Sequence, residues 1–203
     1  MFGYYSCYPW TNLEGYSYLL DLYSAGEARY LLHTIFFREQ DSTAAAASGL
    51  PFAILRHRTR EGKRWGMLWQ AAKQYGVSKL ALELGGGITT YPDDIERGIR
   101  AIFSLLAFWG FLPQEYRLNP TPQDRIYFSD KREFFYAWEE GAFYPMAKPG
   151  EMFDKGERIG TWISLEVFKA VPVTAVVSGL LIYSRTRCRS HKGDTITMFL
   201  PGR

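Results

Sequence analysis

The run VSKLALELGGG at residues 77–87 constrains this chain more than any other stretch. Its apolar first part predicts a buried strand over 77–84, and the triple glycine predicts a sharp turn at that strand's carboxyl end. Pro92 then opens a helix, with Asp93 and Asp94 in the first turn, where the helix dipole favours acids. Ile95, Ile99, Ile102, Phe103 and Leu106 are expected to point inward, and the helix is expected to end near Gly110. Active sites of open α/β sheets lie outside the carboxyl ends of strands, so this turn is where chemistry is to be sought.

Segments 16–22 (YSYLLDL) and 51–57 (PFAILRH) read as two further buried strands. Residues 65–75 carry Trp65, Leu68, Trp69 and Ala72 at helical spacing, and Gly76 stops that helix. Strands alternating with helices predict a mixed, mostly parallel sheet with flanking helices over 1–112, an α/β class. Pro113, Pro120 and Pro122 make 113–127 a stiff linker and the expected domain boundary. Beyond it, short strand-like runs at 133–138, 158–163, 167–173, 179–183 and 195–200 are separated by turn signals such as Lys192-Gly193-Asp194. Their spacing predicts a small all-β barrel or sandwich over 128–203.

A formal charge of +3, with basic residues scattered among acids, gives no footprint for nucleic acid or a membrane surface. Cys7 and Cys188 read as free thiols in a reducing compartment. No apolar run reaches membrane-span length and MFGYYSCYPW lacks a signal-peptide layout, so the expected location is cytoplasmic.

Three features bear on chemistry. A carboxylate at position 83, before a glycine turn, can take a proton from water and pass it to a leaving amine; it can equally be a structural acid capping the turn. His33, in LLHTIFF, is either a metal ligand or a packed histidine. Arg56, with His57, Arg58, Arg60 and Arg64, forms a basic cluster suited to a substrate carboxylate or to a solvated face.

Several ordered segments resemble one known family. Gly49-Leu50-Pro51, then Gly76-Val77 running into Leu80-Ala81-Leu82-Glu83-Leu84-Gly85-Gly86, and the helix ending WGFLP, are similar to the region around the general-base glutamate of the succinylglutamate desuccinylase/aspartoacylase family. Glu140-Gly141-Ala142-Phe143, the run from Gly150 through Phe153-Asp154-Lys155-Gly156-Glu157-Arg158-Ile159-Gly160, Val173-Thr174-Ala175-Val176-Val177-Ser178-Gly179 and Lys192-Gly193-Asp194 resemble that family's C-terminal β domain.

The resemblance implies a zinc-carboxypeptidase-like fold followed by a β domain akin to biotinyl and lipoyl domains. The matching hairpin tip at 175–179 has no lysine, so a swinging-arm role is not expected. It also implies a zinc-dependent hydrolase that cleaves an amide or ester bond of a small N-acyl amino acid-like substrate, with Glu83 as general base. Glu140 and Tyr144 are candidates to reach the site from the β domain.

The family's zinc is held by His and Glu of an early H-x-x-E and by a later His in D-L-H-[ST]-G-G. Asp21-Leu22-Tyr23-Ser24-Ala25-Gly26 occupies the later place, so Tyr23 stands where the third ligand belongs, and no H-x-x-E is found. Zinc ligation by this chain alone is therefore not expected. The pattern suggests a truncated catalytic domain, completed by a separate N-terminal fragment or by self-association. The alternative is a degenerate, non-catalytic relative acting as a binding or scaffold protein.

Overall fold

The computed structural model describes residues 12–56, 67–128, 131–186 and 189–202. Cys7, Cys188, His57, Arg58, Arg60, Arg64 and Trp65 lie outside them. In chain order the elements are β1 (Tyr18–Tyr23), β2 (Ala28–Tyr30), β3 (His33–Phe36), α1 (Ser42–Ala46), β4 (Ala53–Leu55), α2 (Met67–Gln74), β5 (Ser78–Glu83) and α3 (Pro92–Phe108). There follow β6 (Ile126–Tyr127), β7 (Glu133–Tyr136), β8 (Gly141–Pro145), β9 (Met152–Phe153), β10 (Arg158–Ser164), β11 (Ala170–Thr174), β12 (Gly179–Arg185), β13 (Arg189–Ser190) and β14 (Thr195–Pro201).

The first sheet has the order β1-β5-β3-β4-β6. β1 runs parallel to β5, and β4 runs parallel to both β3 and β6, while β3 meets β5 antiparallel. The chain travels from β1 to β3 through a short excursion rather than a helical crossover, and short connections return a strand in the opposite sense.

Helices α1 and α3 cover one face of this sheet. Phe36, Leu55, Leu80 and Leu82 pack there against Ala44, Ala45, Ala101 and Leu105. On the other face α2 covers the part beside Lys79 and Ala81, with Trp69 against Phe37, and elsewhere the expected helical cover gives way to strands: Ile35, Phe52, Ile54 and Ala81 meet Leu180, Ile182, Met198 and Leu200 of β12 and β14. The inward face of α3 also differs from expectation. Ile95, Ile99 and Phe103 are 50%, 49% and 41% exposed, whereas Gly98, Ala101, Ser104, Leu105 and Ala107 are buried. Small residues let the helix lie close to the sheet; a Cβ on Gly98 would come within 3.2 Å of Leu84 Cδ2.

The β part consists of a four-stranded sheet, β11-β10-β8-β13, and a second sheet, β2-β12-β14-β7, with β9 also on β12. Phe143, Ile159, Trp162 and Val173 pack against Leu181, Ile196 and Phe199 between them. β12 and β14 thus bury both faces, one toward this core and one toward the first sheet. That is why Leu180-Leu181-Ile182 and Met198-Phe199-Leu200 read as unbroken apolar runs.

The two regions exchange strands. β2 lies early in the chain yet pairs with β12, and β6, at the end of the proline-rich stretch, pairs with β4. Among the described residues no helix is long and apolar enough to cross a membrane.

Candidate functional site

Glu83 ends β5, with Tyr23 of β1 and His33 of β3 as its register partners on either side. Alternation along β5 places Lys79, Ala81 and Glu83 on the face opposite Leu80 and Leu82. Glu83 is half-buried. Burial pushes its carboxyl above the ordinary carboxylate range, Arg132 and Arg56 pull it back, and Asp21 adds a smaller upward push.

Tyr23 is 45% exposed. Its hydroxyl donates to Asp21 Oδ2 at 2.6 Å, and Lys79 Nζ lies 2.9 Å from the same oxygen. Lys79 is buried, with its ammonium 5.0 Å from the centre of the Phe37 ring. Burial first, then the hydrogen bond to Asp21 and the Asp21 and Glu83 charges, push the Tyr23 phenol up to about 12. Tyr30 is likewise pushed up to about 12, by burial and then by the Glu83 charge.

The turn after Glu83 is clamped from several sides. Gly85 has φ +88°, and a Cβ there would lie 2.5 Å from Asp94 Oδ2. Asp94 is held in a fork by Arg29, with Nε to Oδ2 at 3.1 Å and Nη2 to Oδ1 at 3.0 Å. The Arg29 guanidinium also lies 3.9 Å over the Tyr91 ring. The Gly85 carbonyl accepts from Ala25 N at 3.2 Å and Tyr30 N at 3.3 Å, and Leu84 N donates to the Tyr23 carbonyl at 2.9 Å. The segment after Tyr23 and the segment after Glu83 are therefore fastened to each other. Arg185 Nη2 reaches Glu27 at 2.6 Å and Asp194 at 3.0 Å, fastening the same segment to the β part.

Beside Tyr23, on the same sheet face as Glu83, is a cavity of about 60 Å³ lined by Tyr23, Ile35, Phe37, Arg56, Trp69, Lys79 and Ala81. Arg56 follows β4 and is half-buried, so this arginine of the expected basic cluster does face the site.

His33 is fully buried, its Nδ1 is 2.8 Å from the Leu31 carbonyl, and its ring stacks on Phe52 at 4.4 Å. These contacts match the packed histidine of the two alternatives. Glu140 commits its carboxylate to His191 and Arg189 in the β part, and Tyr144 lies on β8 opposite Thr161 of β10. Neither is among the groups whose charge reaches Glu83.

Zinc does not fit the described residues. Among them no three His, Cys, Asp or Glu side chains come together to hold a metal. Tyr23, at the position of the third ligand, keeps its proton until about 12 and spends it on Asp21. A phenol in that state is a poor ligand.

Sequence reading missed Lys79 and Arg132. Lys79 was detectable, as a charge in an otherwise buried strand on the Glu83 side of the alternation. Arg132 lies after the proline-rich stretch, and nothing local marks it.

No family model matches the chain. Over 190 residues it is 25% identical to the N-alpha-acetyl-L-2,4-diaminobutyric acid deacetylase of Halomonas elongata, a match covering 89% of this chain and 55% of that protein. The apo structure of the ectoine utilization protein EutE (DoeB) from Ruegeria pomeroyi superposes with a TM-score of 0.74 at 19% identity, covering 90% of this chain and 59% of that one. A succinylglutamate desuccinylase from Silicibacter sp. TM1040 gives 0.74 at 19% identity, over 89% and 56%. A succinylglutamate desuccinylase/aspartoacylase from Rhodobacter sphaeroides gives 0.68 at 18% identity, over 91% and 57%. The resemblance read from the sequence is borne out: these neighbours are succinylglutamate desuccinylase/aspartoacylase proteins and EutE, and the mixed α/β fold is theirs. The chain spans a little over half the length of these relatives.

Proposed function

We propose that this chain belongs to an amide hydrolase that removes the acyl group from a small N-acyl amino acid-like substrate, with Glu83 as its general base. One observation carries the reading: a half-buried carboxylate with a raised proton affinity, at the carboxyl end of an inner strand, between a tyrosine and two arginines. A carboxylate with raised affinity is better able to accept a proton from water. As the water oxygen bonds to the acyl carbon, Glu83 takes the water proton. As the carbon–nitrogen bond breaks, it returns that proton to the leaving amine. Arg56 would bind a substrate carboxylate, a fork geometry suited to that partner.

The described residues do not make the zinc site that the resemblance implies, so no step here passes through metal. Its ligands would have to come from polypeptide beyond them. β1 has a strand partner on one side only among the described residues. Trp109 stacks on Tyr18 of β1 at 4.7 Å, while Ser104, on the other flank of α3, bonds the Ala47 carbonyl at 2.6 Å. Helical spacing puts Ile95, Ile99, Ile102 and Leu106 on the Trp109 flank, beside the open edge. An apolar stripe next to an unpaired strand suits further polypeptide, from an N-terminal fragment or a second copy. The likeness of the β part to biotinyl and lipoyl domains belongs to the same reading.

The Tyr23–Asp21 bond favours a second reading, a non-catalytic relative that keeps the scaffold for binding. Release of free amine from N-acetyl amino acids, N-alpha-acetyl-L-2,4-diaminobutyrate first, separates the two. Glu83→Gln should lower the rate by two or more orders of magnitude, on the order of a lost general base. An unchanged rate would refute the assignment, and no release even with an added N-terminal half of a relative would favour the binding protein.

A further inference from the structure

β1 is an outer strand of the first sheet among the described residues, and its backbone has a definite direction. Ser78 N donates to the Ser17 carbonyl at 3.0 Å and Leu84 N to the Tyr23 carbonyl at 2.9 Å, so the odd-numbered residues turn their N–H and C=O groups toward β5. Alternation then turns those of Tyr18, Leu20 and Leu22 toward the open edge. The usual guards of an edge are missing from this strand: YLLDLY has no proline, no lysine and no bulge, and its register with β5 is unbroken. Its one charge, Asp21, lies on the other face, held by Lys79 and Tyr23.

The side chains beside the edge are apolar. Leu20 and Leu22 are register partners of Leu80 and Leu82, so Tyr18, Leu20 and Leu22 share the face that α3 covers. On α3, Ile95, Ile99, Ile102 and Leu106 recur at spacings of four, three and four, the seam by which one helix packs on another. Tyr18, Leu22, Ile95, Ile99 and Phe111, which meets Tyr18 edge-on, are 40% to 66% exposed. At roughly 190 Å² per large side chain, these present on the order of 500 Å² of apolar surface. With the backbone edge and the half-buried Ile102 and Leu106, this approaches the ~800 Å² per partner of a stable interface.

We propose that two copies of this chain pair β1 to β1, antiparallel about a two-fold axis at Leu20, joining their five-stranded sheets into one. Leu20 then faces Leu20, and Tyr18 faces Leu22 of the second copy. All three belong to the set whose N–H and C=O groups point outward, so each opposed pair closes two hydrogen bonds; a slip by one residue loses them. The helices fit as well. α3 packs over Leu80 and Leu82 of β5 and Leu20 of β1. A helix so placed lies about half a strand spacing from β1, which sets the two copies of α3 about two spacings, roughly 9–10 Å, apart. That is the interaxial distance of packed helices. An extended segment alone would fill the strand place and leave the α3 seam bare; a second copy fills both. The same register brings Ser17 of the second copy opposite Tyr23, so each copy borders the other's candidate site. The pairing goes beyond the deacylase reading and does not rest on it.

Sedimentation of the full chain over a range of micromolar concentrations, together with cross-linking that depends on register, tests it. A two-chain mass is expected. Leu22→Lys, at an exposed position where a lysine guards the edge, should weaken association tenfold or more. With Cys7→Ser and Cys188→Ser as background, Tyr18→Cys and Leu22→Cys chains should form a disulfide when mixed, because opposed residues sit about 5.5 Å apart at Cα. Neither should cross-link alone, since like positions lie roughly 13 Å apart along the pairing. A single-chain mass at every concentration would overturn the proposal and leave the edge to an N-terminal fragment. A dimer that the folded Leu22→Lys chain keeps at full strength would overturn it too, as would cross-linking of either cysteine variant alone as fast as the mixture. A dimer of this register together with a Glu83→Gln rate equal to wild type would sink the deacylase reading and leave the interface standing.

Discussion

The Tyr23 hydroxyl and the Asp21 carboxylate are joined by a 2.6 Å hydrogen bond within one strand, where the resemblance would place a zinc-binding histidine. A phenol that donates a hydrogen bond to a neighbouring carboxylate must lose that bond before it can bind a metal as phenolate.

Adding zinc at neutral pH should therefore leave the tyrosinate absorbance of the chain unchanged. An alkaline titration should show a late class of tyrosines, Tyr23 and Tyr30, ionising at about 12. A zinc-induced tyrosinate band that Tyr23→Phe abolishes would establish the opposite.

Lys79 and Asp21 are a buried pair, their side chains 4% and 15% exposed. Lys79→Met strands the carboxylate and should destabilise the fold by about 3–5 kcal/mol in urea denaturation. Adding Asp21→Asn should restore most of that loss, because no charge is then left unpaired and the amide oxygen still accepts from Tyr23.

Glu83 binds its proton more tightly in the folded protein than its ordinary value of 4.5. Its contribution to stability is fully present below the unfolded value and is lost as pH rises through the raised folded one. Glu83→Gln, which stays neutral, should gain stability relative to wild type across that window and keep the gain at neutral pH. A constant difference in thermal midpoint from acid to neutral pH would contradict this.

Gly85 combines a positive φ with a position where an added Cβ would meet Asp94. Gly85→Ala should cost about 1–3 kcal/mol for the backbone alone, and more if the Arg29–Asp94 fork opens. Asp94→Asn keeps the backbone and weakens only the fork, so it should cost less. Chemical denaturation of the two variants side by side gives the comparison.

Ile99 is half-exposed on the α3 flank beside the open edge of β1. Ile99→Asp should leave the thermal midpoint within about 0.5 kcal/mol of wild type in stability terms. If that flank receives a second copy, light scattering of the wild-type chain will show a dimer or larger, and the variant a smaller mass.

The strand ending at Glu83 and the helix opened by Pro92 were legible because each depends on local signals: an apolar run, a glycine turn, a proline at a helix start. The inward face of α3 was not. Large apolar residues mark burial only where there is room for them, and here Gly98 and Ala101 take the close contact. β2 was missed because Ala28-Arg29-Tyr30 is short and its partner lies far along the chain. The site divides in the same way. Glu83 stood out beside its glycines and Tyr23 by its place in Asp21-Leu22-Tyr23. Arg132 reaches Glu83 only through tertiary folding, so no window of sequence contains both.

The pairing of β2 with β12 fixes an order of events. Ala28 to Tyr30 find their partners at Tyr183 to Arg185, so the segment just after Tyr23 waits for nearly the whole chain before its hydrogen bonds can close. Closing so long a loop is slow relative to local structure. During synthesis, Glu83 and α3 emerge and can form early, whereas the surroundings of Tyr23 are completed last. Folding intermediates of this chain should therefore contain the strand of the base without the finished site around it.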